Sequence, residues 1–276
     1  MKTVIKLAIS ITLVAFVLNA IDINKLKEIL FRVNIFWLFL AFIFYNLSKI
    51  VSAIRLNFYF REIGVNLAYK ANLILYYVGM FYNLFLPGGI GGDGYKAYLI
   101  NKYQNIKLSL IIQALFFDRV SGLIALIFLG ALLFPFSSFN IKILFYISII
   151  LVFISYPLFF ILSKKLDKFM LYFKSTTALG LLVQILQLIS ALFIIYSLDS
   201  NIPIVDFLVL FLISSVVSVL PISVGGVGVR EFTFLYGLKL IGYPPDAGVA
   251  FSFLFFLITM LSSLLGIFFL HNPYQE

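Results

Sequence analysis

Leu86-Pro87-Gly88-Gly89-Ile90-Gly91-Gly92-Asp93-Gly94-Tyr95-Lys96 recurs 134 residues later as Leu220-Pro221-Ile222-Ser223-Val224-Gly225-Gly226-Val227-Gly228-Val229-Arg230. Leu, Pro, three glycines and a terminal base coincide without a gap, and the offset is close to half of the 276 residues. Each copy closes an apolar segment. Gly/Pro-broken hydrophobic segments at corresponding places in two halves point to the site of a membrane transporter.

The composition places the chain in a membrane. It is 63% hydrophobic and 11% charged, with a mean hydropathy of +1.13. The apolar segments run over Thr3–Ile21, Ile35–Ile54, Ala71–Leu86, Leu108–Phe134, Ile143–Leu162, Leu179–Leu198, Ile204–Leu220 and Ala247–Leu270. Several reach the roughly 20 residues that cross a hydrocarbon core. Shifted by 134, the third and fourth become 205–220 and 242–268, which land on the seventh and eighth. The first two match the fifth and sixth only loosely. The expectation is an all-α integral membrane protein with about eight hydrophobic segments. It forms one polytopic domain over 1–276, with a 4+4 repeat of about 1–137 and 138–276. Thr3–Ile21 lacks a clean cleavage site at Leu18-Asn19-Ala20 and reads as a retained helix rather than a signal peptide.

With no cysteine there is neither a disulfide framework nor a thiolate metal site. The net charge of +9 fits a positive-inside bias and an anionic lipid partner rather than nucleic acid. Glycines and a proline at membrane depth hold no regular helix cheaply. Irregular backbone there is tolerated only inside protein or beside a water-filled cavity. Segments three and seven are therefore expected to re-enter on their own sides, which makes the repeat inverted. An inside N-terminus then leaves twice as many bases on the cytoplasmic side as outside, with Arg55 counted among the loop charges. Eight crossings from an outside N-terminus give the same bias, so the backbone argument decides.

A half-helix beginning after a Gly-rich break aims free N–H groups and a positive dipole end at whatever faces it. Gly91, Gly92, Gly225, Gly226 and Gly228 would admit a head group, with Lys96 and Arg230 adding charge. Close helix packing explains such glycines as well. Asp118-Arg119, near the centre of Leu108–Phe134, carries two groups that each cost about 2.5–3.5 kcal/mol on insertion scales. Neighbours on a helix point about 100° apart, so each needs its own partner. Lys96 is the candidate for Asp118, and Glu231 or a substrate the candidate for Arg119. Lys96, Arg119 and Arg230 are assigned to substrate, and Asp93, Asp118 and Glu231 to gating or coupling. Asp93 and Glu231 also suit helix capping, and Lys49 suits snorkelling to the interface. Tyr76, Tyr77, Tyr82, Tyr95 and Tyr98 fit either a cavity wall or an interfacial belt. No catalytic residue, metal or cofactor is expected, and His271 is too isolated for either chemistry.

On these residues the chain resembles the membrane-protein family that includes the transmembrane region of lysylphosphatidylglycerol synthases, the multiple-peptide-resistance-factor flippase domain. Pro87, Gly91, Gly92, Asp93 and Lys96 match its first signature, with Lys where Arg is more usual. Asp118-Arg119 matches its second. Pro221, Ser223, Gly225, Gly226, Gly228, Arg230 and Glu231 match its third. The resemblance implies a flippase moving a phospholipid, an aminoacyl-lipid, a lipid-linked sugar or an isoprenoid-phosphate carrier across the cell (cytoplasmic) membrane. No soluble aminoacyl-transferase domain accompanies the motifs, so a transporter is favoured over an enzyme. An intramembrane transferase of envelope or glycolipid synthesis, or a subunit anchoring such an enzyme, is the alternative. Homo-oligomers and partner envelope enzymes stay open.

Overall fold

The computed structural model describes residues 11–12, 14–85, 91–165, 169–198, 202–219 and 226–270. Among these it is all α. Residues 14–20 are helical, followed by α1 (Ile23–Phe31), α2 (Ile35–Glu62), α3 (Tyr69–Phe85), α4 (Gly91–Gln104), α5 (Leu108–Leu133) and α6 (Lys142–Lys165). Then come α7 (Phe173–Leu198), α8 (Ile204–Val219), α9 (Val229–Leu240) and α10 (Asp246–Leu264). Short 3-10 turns at Phe134–Phe136 and Leu265–Phe269 extend α5 and α10. Among the described residues five helices are long and apolar enough to span a membrane: α2, α5, α6, α7 and α10, the second and last with their 3-10 extensions. The chain is a multi-pass membrane protein.

Local chemistry sets the helix starts. Asp22 caps α1 by accepting from the N–H groups of Asn24 and Lys25, and Asn34 caps α2 by accepting from Phe36 N. Both satisfy donors that a helix N-terminus leaves unpaired. Of the repeated motif, 86–90 and 220–225 lie outside the described residues, as do Thr3–Ser10, and no structural reading is attached to them. The helices on either side of the motif follow the sequence offset. Displaced by 134, α3 and α4 become 203–219 and 225–238, against 204–219 and 229–240 for α8 and α9. In each half these two short helices pack on one another.

Beside a small cluster at Val17, Leu235 and Val249, the apolar interior falls into two large clusters, each drawing on both halves. One joins Tyr59, Phe60, Ile100, Phe117, Phe159 and Phe169. The other centres on Phe207, Phe211, Phe234, Phe251 and Phe255, with Tyr45 and Leu126 reaching in from the first half. α2 runs along α7, and α5 joins α6, α7 and α8. α6 is the outlier, with Ile143, Phe153 and Ile161 at 67%, 74% and 62% exposure. An apolar helix so uncovered is lipid-facing.

A charged cavity at the paired breaks

Both halves contribute to one cavity of about 550 Å³. Its wall carries Lys49 and Arg55 from α2, Asp93 and Lys96 from α4, Asp118 and Arg119 from α5, and Arg230 from α9. Tyr45, Tyr76, Asn83, Gln184, Gln187, Phe255 and Thr259 line the rest. Charges are costly at membrane depth, so the pairing among them decides what the cavity can do.

In the first half the pairing is dense. Asp118 accepts from Arg55 Nε at 2.8 Å, with both side chains almost wholly buried. Asp93 accepts from Lys96 Nζ at 3.2 Å through one oxygen and from Arg119 Nε at 2.6 Å through the other. Gly79 leaves room for this cluster, because a Cβ there would meet Lys96 Cε at 2.5 Å. Glycines Gly122 and Gly180 flank the Arg55 guanidinium in the same way, at 3.4 and 3.5 Å. The partners differ from those expected. Asp118 is held by Arg55, not Lys96, and Arg119 by Asp93, not Glu231. Consecutive residues on α5 face different neighbours, one toward α2 and one toward α4, as the 100° step requires.

The second half is arranged otherwise. Glu231 spends one oxygen on Gly228 N at 2.7 Å and the other on Ser252 Oγ at 3.1 Å, which makes it a capping carboxylate. It borders a small side pocket instead of the main cavity. Arg230 lies over Phe255 at 4.4 Å and Phe211 at 5.7 Å, and its buried Nη1 has no hydrogen-bond partner among the described residues.

The glycines divide too. Gly226 lines the cavity with φ +80°, and Gly228 precedes α9 at φ +84°. Gly92 does not line it. A Cβ on Gly92 would run into the Gly79 carbonyl, so this glycine lets α3 and α4 touch. Gly91 opens α4, and Gly225 lies outside the described residues. The expected free N–H groups are partly spent as well, since Gly92 N donates to Asn83 Oδ1 at 2.8 Å.

Two cations escaped the sequence reading. Arg55, counted as a loop charge, is 4% exposed inside α2. Lys49, read as snorkelling, reaches the cavity over the Tyr45 ring at 4.4 Å. The signal was available: Tyr45, Ser48, Lys49, Ser52 and Arg55 recur at helical spacing along an otherwise apolar helix, which marks an inward polar stripe. Of the tyrosines, Tyr76 lines the cavity under Lys96 Nζ at 4.5 Å. Tyr77 donates to Asn46 Oδ1 at 2.9 Å, and Tyr98 is exposed.

Comparison with known proteins agrees with the motifs. The family described as the lysylphosphatidylglycerol synthase TM region matches residues 3–266, and the chain belongs to it. A UPF0104 membrane protein of Methanocaldococcus jannaschii is 29% identical over 213 residues, covering 67% of this chain and 91% of that protein. A second from the same organism is 27% identical over 120 residues, covering 43% of this chain and 36% of its own length. One from Pyrococcus horikoshii is 26% identical over 129 residues, covering 46% and 38%.

Proposed function

We propose that this member of the lysylphosphatidylglycerol synthase TM region family is a translocase in the cell membrane. On this reading it moves a lipid with an anionic head group between leaflets. The observation that carries it is Arg230. This cation faces a polar cavity, has no carboxylate partner among the described residues and keeps a buried guanidinium nitrogen unpaired. A buried guanidinium nitrogen left without a hydrogen-bond partner is unfavourable, and a phosphate would supply the missing acceptor. Cargo thus takes the place that Asp93 holds in the other half.

Helix lengths support a path through the bilayer. Over the described residues, α3, α4, α8 and α9 have 17, 14, 16 and 12 residues. At about 1.5 Å per residue each falls short of a core roughly 30 Å thick. Each packed pair then enters and returns on one side, and the two pairs approach from opposite sides in an inverted repeat. Head groups occupy the cavity, acyl chains stay in lipid, and access alternates as one half rocks against the other.

The test is movement of fluorescent lipids in proteoliposomes. Wild-type protein should move an anionic lipid, and Arg230→Ala should slow it about tenfold or more while the protein still unfolds cooperatively. Tenfold corresponds to about 1.4 kcal/mol, within reach of one charge-assisted contact. Unchanged movement in the variant sinks the reading. Recovery of a covalently altered lipid would favour an intramembrane transferase instead.

A further inference from the structure

The geometry points to a lipid whose head group bears two or more negative charges, a phosphomonoester or a diphosphate, as the ligand of this cavity. This rests on the translocase reading and narrows its cargo. Five cations and two carboxylates line the cavity. Asp118 neutralises Arg55, and Asp93 neutralises one of the two bases it binds. Five cations against two carboxylates leave a net excess of three positive charges on the described part of the cavity wall, with Lys49 and Arg230 outside these ion pairs.

A zwitterionic head group leaves that excess untouched. A phosphodiester lipid cancels one charge, and an aminoacyl-lipid brings in a further cation. A phosphomonoester carries about −1.5 to −2 at pH 7, with three terminal oxygens to accept hydrogen bonds. A diphosphate spreads similar charge over a longer span. Only these classes come near neutralising an excess of three charges to which both halves of the chain contribute.

The donors fit that chemistry as well. Arg55 Nη1 and Arg230 Nη1 are both buried without a hydrogen-bond partner among the described residues, one on α2 and one on α9. Arg55 is held rigid by its bond to Asp118 and is 4% exposed, yet lines the cavity. Planar guanidinium groups suit clustered phosphate oxygens better than a point charge does. Lys49, lying over Tyr45, adds a mobile ammonium. The volume of about 550 Å³ falls in the range of about 300–1,000 Å³ typical of small-ligand sites.

The experiment is a lipid panel with two readouts, thermal unfolding of the purified full chain and competition with labelled-lipid movement in proteoliposomes. The panel holds a phosphatidic acid, a polyprenyl diphosphate, phosphatidylglycerol, an aminoacyl-phosphatidylglycerol, phosphatidylcholine and free inorganic diphosphate. The first two should act at about tenfold lower concentration than phosphatidylglycerol, the ratio that one additional charge-assisted hydrogen bond supplies. Arg230→Gln and Lys49→Gln should each narrow that ratio, and Arg230→Lys should keep most of it. If Arg230→Gln fails to fold, Lys49→Gln, at a half-buried position, still decides. Equal or tighter action of phosphatidylglycerol or the aminoacyl-lipid overturns the polyanion assignment and leaves translocation standing. Free diphosphate matching the lipid-linked form overturns the lipid requirement. Failure of every lipid to bind or move removes the translocase reading itself.

Discussion

The two breaks share a sequence motif and differ in charge bookkeeping, and one residue accounts for most of the difference. Position 93 is Asp and its counterpart at 227 is Val. In the first half Asp93 gathers Lys96 and Arg119 into one paired cluster that keeps a single net positive charge. In the second, Val227 offers nothing to Arg230, and the nearby carboxylate of Glu231 is spent on the helix cap and Ser252. Ser252 itself stands where the first half has Asp118. The two motif bases thus differ: Lys96 is closed onto a carboxylate in one half, and Arg230 stands open in the other. Closed charge clusters hold helices together, and open charges are available to a ligand.

If that contrast is right, removing a carboxylate should cost far more in the first half than in the second. Asp118→Asn strands Arg55, which is 4% exposed, and breaking a buried pair this way costs about 3–5 kcal/mol. Glu231→Gln loses only part of a cap and should cost about 1 kcal/mol. Thermal unfolding in detergent compares them. The double variant Arg55→Gln with Asp118→Asn should recover much of the loss, because no charge is left stranded. Equal destabilisation by the two single changes would erase the distinction between the halves.

The next test copies the closed half onto the open one. Val227→Asp places a carboxylate on the cavity wall near Arg230, since both residues line it. The expected outcome is an unfolding temperature equal to or above that of the wild type, with lipid movement reduced about tenfold, or about 1.4 kcal/mol. An internal carboxylate then competes with phosphate for the same guanidinium. Retained movement with raised stability would show that Arg230 locks the fold and does not receive cargo.

The helical content, the long apolar spans and the bounds of α3 and α8 were legible in the sequence, whereas α4 and α9 were expected only as half-helices without bounds. Apolar runs and glycine breaks are local signals, read without knowing what packs on what. Pairing was not legible, because it depends on which helices meet. Asp118-Arg119 announced two costly charges, but that Arg55 answers one and Asp93 the other follows only from α5 standing between α2 and α4. The packing of Gly92 was hidden for the same reason. A glycine beside a base reads as room for a ligand, yet its missing Cβ makes room for the Gly79 backbone. The polar stripe on α2 was local and could have been found. It was passed over because the apolar segment was ended at Ile54, one residue before Arg55.

The smallest expected effect separates the two motifs at a single aligned position. Gly94 and Gly228 are offset by 134 residues and would be equivalent if the motifs were packing turns of one design. Gly94 sits in the first turn of α4, exposed, with open space where a Cβ would go. Alanine there removes backbone freedom from the unfolded chain and should stabilise by about 0.5–1 kcal/mol. Gly228 precedes α9 at φ +84° and ψ −42°, a conformation that side chains rarely adopt. Alanine there should destabilise by about 1–3 kcal/mol, the usual scale of local backbone strain. It should also disturb the Gly228 N bond to Glu231 and with it the aim of Arg230, so lipid movement should fall along with stability. Opposite signs in thermal unfolding for Gly94→Ala and Gly228→Ala would show that the same glycine serves a regular helix start in one half and a strained turn in the other. Like signs would mean that the two breaks are built alike, and that Asp93 against Val227 alone makes one half closed and the other open.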